Sequence, residues 1–446
     1  MTVAPEPSIS SRIWQIAWPA MVMSALQTVN VFIDRKFIGM LGTDQLAAAS
    51  PGSQMIFLMV TVAMSISMGT TAIVARMVGA RQWDQVIKSS RQSIGLACLL
   101  AIGGTALAYV ALPLLVGWYQ LEPAPEKYAR EFLAASLFGA PAIFLGNIVG
   151  GVFRGLGKTK PTMYAMIVMN VVHVLFAWLL IFGHLGFPRL GMFGAGLAFA
   201  ISVWAMAVLQ WWFLRQSELP ECGDPEMPEK EWTLRTLRIG IPASMRSLIY
   251  VGGSAIFARL LAGTPEGTAA MAALPIGMTS ESIAFMPGFA FAISASALVG
   301  QYLGAKDETR AERSGWIASA QACAVMTTMA VVFYVFADQF AGYFTSDPEV
   351  KRLAANYLRI NAITEPLLAF GMTLAGALQG AGYTIQTALS AAFTQLVLRA
   401  PVTLLLAYSL GMGANGAWWA MALSSGCSGL VMIAIFRHGG WKKAKV

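Results

Sequence analysis

Acidic side chains stranded in long apolar runs are the first place where this sequence offers chemistry. Glu281 sits near the middle of one run, in Met278-Thr-Ser280-Glu281-Ser282, and Glu365 near the middle of another, in Ile363-Thr364-Glu365-Pro366. Asp34 stands at the end of the first run and is followed at once by Arg35 and Lys36. A charged group at the centre of hydrocarbon costs about 2.5–3.5 kcal/mol on insertion scales, so each such residue reads as functional by default. Arg399, midway along a later run, can pair with either glutamate. Two acids and one base leave one glutamate without a cation, suited to take up a proton or bind a cation. The structural alternative is a buried Arg–Glu pair that only holds helices together. Asp338 lies near a run's end and reads as interfacial. His173 reads first as a packed, hydrogen-bonded neutral side chain and second as a proton carrier.

Other chemistries find no support. The chain has no Gly-x-Ser-x-Gly, no phosphate-binding Gly-rich loop and no His-Glu-x-x-His, and Gly155-Leu-Gly157 lacks the third glycine of a dinucleotide turn. Cys98, Cys222, Cys323 and Cys427 are far apart, and His173, His184 and His438 are scattered. Neither a disulfide framework nor a metal site is indicated. We expect no enzyme, no resident metal and no cofactor.

The elements that position the acids must be membrane helices. The 446 residues are 57% apolar and 12% charged, whereas soluble domains carry about 25% charged residues. That excludes an ordinary cytosolic enzyme, a disordered chain and a nucleic-acid binder. The net charge of +8 comes from bases that punctuate apolar runs instead of forming a face. A helix crossing the hydrocarbon core needs about 20 apolar residues. Roughly twelve such runs are present: 13–33, 46–75, 92–117, 130–153, 161–183, 191–214, 239–262, 268–300, 315–341, 353–378, 386–409 and 413–436. Several carry prolines that can kink them, among them Pro19, Pro242, Pro287, Pro366 and Pro401. Bases concentrate on one side, in alternate loops holding Arg76, Arg81, Lys88, Arg91, Arg154, Lys158, Lys160 and Arg215, together with Arg12, Arg437, Lys442 and Lys443 near the ends. The expectation is a multi-pass protein of the cytoplasmic (inner) membrane with both termini in the cytoplasm.

The stretch 216–232, rich in acids and proline, reads as a solvated cytoplasmic linker between spans six and seven. It divides the chain into an N-lobe (1–215, helices 1–6), a linker (216–237) and a C-lobe (238–446, helices 7–12). The halves match at an offset of 225: Ala47-Ala48 with Ala272-Ala273, Gly52 with Gly277, Gly79-Ala80 with Gly304-Ala305, and Gly155-Leu-Gly157-Lys-Thr159 with Gly380-Ala-Gly382-Tyr-Thr384. The register drifts only slightly outside that window, Gly194-Ala195 matching Gly416-Ala417. Six spans per half make the repeat parallel, about an axis along the membrane normal. The fold class is therefore an all-α polytopic membrane protein of twelve transmembrane helices in two six-helix lobes related by a parallel internal repeat. Transporters built so place their substrate route between the halves.

Over essentially its whole length the chain resembles the multidrug and toxic compound extrusion (MATE) family. The resemblance rests on Asp34 followed by Phe37-Ile-Gly39-Met-Leu41-Gly42 and Leu46-Ala-Ala-Ala, and on Leu298-Val-Gly300-Gln301-Tyr-Leu-Gly304-Ala305. It rests also on the Arg154-Gly155-Leu-Gly157-Lys-Thr159 and Leu378-Gln379-Gly380-Ala-Gly382-Tyr-Thr384 turns, and on Asn170 with Ile181-Phe-Gly183 and Gly194-Ala195. The resemblance implies two lobes that open a cavity alternately to each side and export organic, often cationic, compounds against an inward flow of protons or sodium. It puts Asp34 at the family's cation-coupling acid of span one, joined by Asn170 of span five. The second acid of that site falls at Val174 here, and a threonine partner at Phe199. The loss of two oxygen ligands leaves too few for a dry sodium cage, since hard cations are held by several oxygens at once, and this favours protons. In the C-lobe the coupling candidates are Glu281, Glu365 and Arg399, with Tyr250 at about the family's span-seven acid position. Gln395 is the repeat mate of Asn170, and Arg246 is expected to reach the cytoplasmic surface.

The 25 methionines and 24 phenylalanines suit an adaptable apolar lining whose ring faces attract organic cations. Tyr250, Met286, Phe289, Met64 and His173 are the substrate-contact candidates. The expected function is secondary active multidrug efflux by antiport with protons or sodium, protons favoured. The alternative is a flippase of related architecture for a lipid or amphiphile, against which the lack of a basic central cavity weighs. Expected partners are small organic substrates and the lipid bilayer, with no nucleic acid, the chain acting as a monomer.

Overall fold

A computed structural model describes residues 7–119 and 121–444. Within them the chain is helical and contains no strand. In chain order the helices are α1 (Ile9–Gly39), α2 (Thr43–Gly79), α3 (Trp83–Trp118), α4 (Pro123–Ser136), α5 (Ala140–Gly155), α6 (Lys160–Phe182), α7 (Gly191–Arg215), α8 (Lys230–Ala262), α9 (Gly267–Gly304), α10 (Glu308–Val335), α11 (Ala337–Phe344), α12 (Pro348–Gly380), α13 (Thr384–Ala392), α14 (Arg399–Thr403) and α15 (Gly413–His438). A 3-10 turn, Leu137–Gly139, joins α4 to α5, where Pro141 near the start of α5 has no N–H to give. The segment Thr384–Ser409 alternates α13, a π-helical stretch (Phe393–Leu398), α14 and a second π-helical stretch (Leu404–Ser409). Pro401 lies between the two stretches, so the hydrogen bonds it removes are absorbed by widened turns that re-aim the side chains around Arg399.

Among the described residues, eleven helical segments are long and apolar enough to cross a membrane. The run expected at 353–378 is helical too, as α12, and its 33 residues are long enough. It is not among the eleven, for it carries Asn361 and Glu365 within its apolar stretch. The protein is an all-α, multi-pass membrane protein.

The chain folds as two compact units, Val22–Gly240 and Met1–Met21 with Ile241–Val446. The divisions fall inside α1 and α8, not in the acidic linker. Local contacts explain both. The first turns of α1 are tied to the second unit by Arg12, whose Nη1 donates to Tyr302 Oη (3.1 Å) and Nη2 to Gln301 Oε1 (3.0 Å). Trp14 packs edge-on to Phe291 there, with centroids 5.3 Å apart. The first turns of α8 lie backbone to backbone on α2. A Cβ on Gly69 would come within 2.4 Å of Thr236 O, and one on Gly240 within 2.3 Å of Ser65 O. Only glycine permits such approach.

The stretch expected to be a solvated linker is instead docked. Helix α8 already begins at Lys230, and the residues before it lie on the first unit. Cys222, in the 3-10 turn Pro220–Gly223, is fully buried in a cluster with Val86, Ile94 and Leu214. Burial pushes its thiol up from the ordinary cysteine value, which keeps it protonated and inert. Glu226 donates its N–H to Arg91 O (3.2 Å), and its carboxylate lies 3.3 Å from Arg91 Nε. Three acids of the stretch pair with bases of α3 and α7: Glu226 with Arg91, Glu229 with Lys88 at 2.8 Å, and Asp224 with Arg215.

The duplication survives in packing. Gly52 of α2 and Gly277 of α9 each face an aromatic ring, and a Cβ would reach within 2.4 Å of Phe132 and 2.3 Å of Tyr357. Both glycines and both rings are 225 residues apart (277 − 52 and 357 − 132). The turns after α2 and α9 place Arg81 and Lys306 at φ 57 and 59, again 225 apart (306 − 81).

Candidate functional site

In the second unit α12 presents Tyr357, Asn361 and Glu365 at steps of four, on one face of the helix. Helix α9 packs along that face. The absent side chain at Gly277 lets the Tyr357 ring lie against α9, one turn before Glu281. From there the fully buried Tyr357 hydroxyl donates to Glu281 Oε2. Asn361 Nδ2 donates to Tyr357 O (3.0 Å) and so stiffens the turn between the tyrosine and the second acid. Glu365 is 2% exposed, and its Oε1 has no hydrogen-bond partner among the described residues. An unpaired buried acceptor costs about 1–3 kcal/mol, more if charged. Glu281, Asn361 and Glu365 form the polar part of a small pocket of about 10 Å³ whose remaining walls include Ala284, Phe333 and Leu358.

Arg399 does not meet the pairing expected of it. Its Nε donates to Ser424 Oγ (2.8 Å) and its Nη2 to Ser425 Oγ (3.3 Å), and its guanidinium lies 5.8 Å from the Phe257 ring centroid. Among the described residues no carboxylate stands within ion-pair distance of it. The widened turns of Thr384–Ser409 aim it at α15, and serine hydroxyls replace the expected glutamate. Tyr250 of α8 lies near both Arg399 and Glu281. Asp338 is exposed and bound by Arg359 at 2.5 Å.

In the first unit the acid of α1 meets a base instead of an amide. Asp34 Oδ1 lies 2.5 Å from His173 Nε2 of α6, and His173 Nδ1 lies 3.3 Å from Ser202 Oγ of α7. Ser202 donates to Phe199 O (2.7 Å). Asn170 does not join Asp34: its Nδ2 is turned back on its own helix to Met166 O (2.8 Å). Phe199 packs against the core, and Val174 has no polar atom to offer. The oxygen set that the family resemblance implied is therefore not assembled around Asp34.

The substrate-contact candidates divide between the units. Tyr250 and Phe289 are exposed in the second, where Phe289 stacks edge-on with Phe285 at 5.8 Å, and Met286 is half-buried. Met64 is exposed on α2 of the first, and His173 is buried there. Sequence reasoning missed Tyr357, Asn361 and Ser202. The spacing of Tyr357, Asn361 and Glu365 was a usable signal, since three polar residues at steps of four in an apolar helix share one face.

A duplicated bundle of apolar helices, with the Glu365 carboxyl buried at mid-helix, defines a polytopic membrane protein. The MatE family profile matches residues 19–179 and 242–405. The chain belongs to the MatE family, as the sequence motifs implied. It is 26% identical over 445 residues to a probable multidrug resistance protein NorM of Thermotoga maritima, covering 99% of this chain and 95% of that one. It is 25% identical over 349 residues to the multidrug resistance protein MdtK of Proteus mirabilis, covering 77% and 76%. Among solved structures it shares the fold of a MOP superfamily transporter from Pyrococcus furiosus, with TM-score 0.89, 21% identity and 98% of both chains covered.

Proposed function

We infer that this protein is a secondary active efflux transporter that exports organic, often cationic, compounds by antiport with protons. The observation that carries the reading is Glu365: a carboxyl group in an apolar helix, buried, with one oxygen unpartnered, opening on a pocket it shares with Glu281. A carboxyl so placed gains most from a proton or a cation, and its occupancy can bias the equilibrium between conformations. NorM and MdtK relatives, described as multidrug resistance proteins, support a range of organic substrates. Protons are favoured over sodium because the oxygens of a hard-cation cage are not gathered at Asp34. We place the protein in the cytoplasmic membrane, both termini in the cytoplasm, acting as a monomer because one chain supplies both halves of the repeat.

The test is transport in vesicles. Purified protein is reconstituted, the vesicles are loaded with a fluorescent organic cation, and a pH gradient and a sodium gradient are imposed separately. Dye movement driven by the pH gradient alone is expected. Movement driven only by sodium would overturn the choice of ion, and movement with neither gradient would favour a lipid or amphiphile flippase.

A further inference from the structure

Gly150 of α5 is a glycine that neither backbone conformation nor close packing explains. It lies inside the helix without a positive φ, where glycine costs stability relative to alanine. Its neighbours Gly146, Gly151 and Gly155 sit hard against other helices. A Cβ on them would come within 3.0 Å of Met206, 2.6 Å of Ser67 and 2.7 Å of Val74. A Cβ on Gly150 would meet nothing nearer than 3.3 Å. The three atoms nearest that point belong to three polar side chains: Arg154 Nη1 at 3.3 Å, Thr162 Cγ2 at 3.7 Å and Gln210 Oε1 at 3.8 Å. Gln210 of α7 is 1% exposed and Thr162 of α6 is 7% exposed. Gln210 Oε1 and Thr162 Oγ1 have no hydrogen-bond partner among the described residues. Arg154 has no carboxylate within ion-pair distance among them, and its Nη2 donates to Ser67 Oγ of α2 at 2.5 Å.

We propose that Gly150 keeps open a site for one bound water, which joins Arg154, Thr162 and Gln210. The chemistry of the three groups selects the ligand. A cation would face the guanidinium, and an anion would face Gln210 Oε1, which only accepts. A water both takes and gives. It accepts from Arg154 Nη1 and donates to Gln210 Oε1, which leaves one proton for Thr162 Oγ1. Three bonds are the usual number for a water inside a protein, and each satisfies a group that is costly to bury without a partner. The joint ties the end of α5 to the start of α6 and to α7, while the Arg154–Ser67 bond ties it to α2. The second unit supplies the contrast. At the repeat offset of 225, Gly150 is matched by Ala375, Arg154 by Gln379 and Thr162 by Thr387; at the offset of 222 that relates Gly194 to Gly416, Gln210 is matched by Met432. There Thr387 Oγ1 donates to Thr384 O of its own helix (2.7 Å), and Ala375 is fully buried. Where the polar set is gone, a methyl group takes the space. The site stands whichever ion drives transport.

Paired substitutions test it in lipid nanodiscs. If nothing filled the space, Gly150→Ala would remove the cost of glycine and raise the melting temperature, mirroring a fall in Ala375→Gly. With the water in place both variants fall. The methyl group of Gly150→Ala expels the water and leaves three polar groups without their joint, and a drop of about 2–4 °C is expected. Gly150→Ser carries a hydroxyl to the same place and is expected to recover most of that loss. A higher melting temperature in Gly150→Ala overturns the proposal. So does a Gly150→Ser protein no more stable than Gly150→Ala, which would assign the loss to crowding at Arg154 Nη1. Crystals of the wild type that diffract well enough to show ordered waters read the site directly, whether or not the variants fold. Density for a single atom within about 3.2 Å of both Arg154 Nη1 and Gln210 Oε1 is expected. Well-ordered side chains with no such density between them would overturn the proposal as well.

Discussion

The two units repeat one polar contact and differ in what it can do. In the first, His173 of α6 reaches Ser202 of α7; in the second, Arg399 of α14 reaches Ser424 of α15. The serines stand 222 residues apart (424 − 202), the same spacing as Gly194 and Gly416, and the bases 226 (399 − 173). The acids are where the units part. Asp34 touches its base directly, whereas Glu281 takes its hydrogen bond from Tyr357 and Glu365 leaves an oxygen unpartnered. Arginine keeps its proton in proteins and histidine does not. The duplication has thus kept a base-to-serine tie, made by a histidine in one unit and by an arginine in the other.

The largest effect should follow from the group that makes the second unit different. Glu365→Gln removes the ionisable oxygen while keeping the shape. Gradient-driven dye export is expected to fall by roughly tenfold or more, equivalent to about 1.4 kcal/mol, with the protein still folded in the membrane. Unimpaired export would break the assignment of the pocket. Next comes the fixed base. Arg399→Met leaves the Ser424 and Ser425 hydroxyls without their donor, and hydrogen bonds to charged groups are worth about 1.5–3 kcal/mol each. A lower melting temperature is expected, with a smaller loss in His173→Leu; equal losses would erase the distinction between the arginine and histidine ties.

A matched pair of glycines sharpens the same comparison. Gly52→Ala and Gly277→Ala each drive a methyl group into an aromatic ring, to within 2.4 Å of Phe132 and 2.3 Å of Tyr357. Overpacking of this kind costs about 1–3 kcal/mol, so both variants should be destabilised alike. Only Tyr357 carries a hydroxyl bound to Glu281. Export should therefore drop in Gly277→Ala beyond what the lost stability explains, and not in Gly52→Ala. Parallel behaviour of the two would mean that Tyr357 serves packing alone.

These contrasts were only partly visible in the sequence. The spans were legible because hydrocarbon demands uninterrupted apolar length, and the repeat because Gly52, Gly277, Gly157 and Gly382 answer to backbone geometry, the last two at φ 73 and 80. Glu281 and Glu365 stood out because acids are costly in such runs. What could not be read was partnership. Arg399 could have paired with either glutamate by sequence, but it lies between two π-helical stretches and binds Ser424 and Ser425 of α15, and no periodicity reports an inserted residue. Asn170 was expected beside Asp34, whereas His173, three positions on, holds the acid. The strap before α8 looked solvated because its acids are many; their bases lie on α3 and α7, distant in sequence.

That strap supplies the smallest expected effect. Lys88 and Glu229 are both exposed, so their ion pair adds little to stability. Its worth lies in what it reports. The hydrogen bond from Lys88 holds the Glu229 carboxyl below the ordinary glutamate value. A depressed acid contributes above its unfolded value and loses that contribution as pH falls through its folded one. The strap should stay attached at neutral pH and loosen only in acid. In Lys88→Gln the loosening should begin at higher pH, with export unchanged at neutral pH. Hydrogen exchange at the Glu226 amide, which donates to Arg91 O at 3.2 Å, is the measurement. Loosening at the same pH in both proteins would mean that the buried Cys222 and the backbone bond hold the strap without help from the charges.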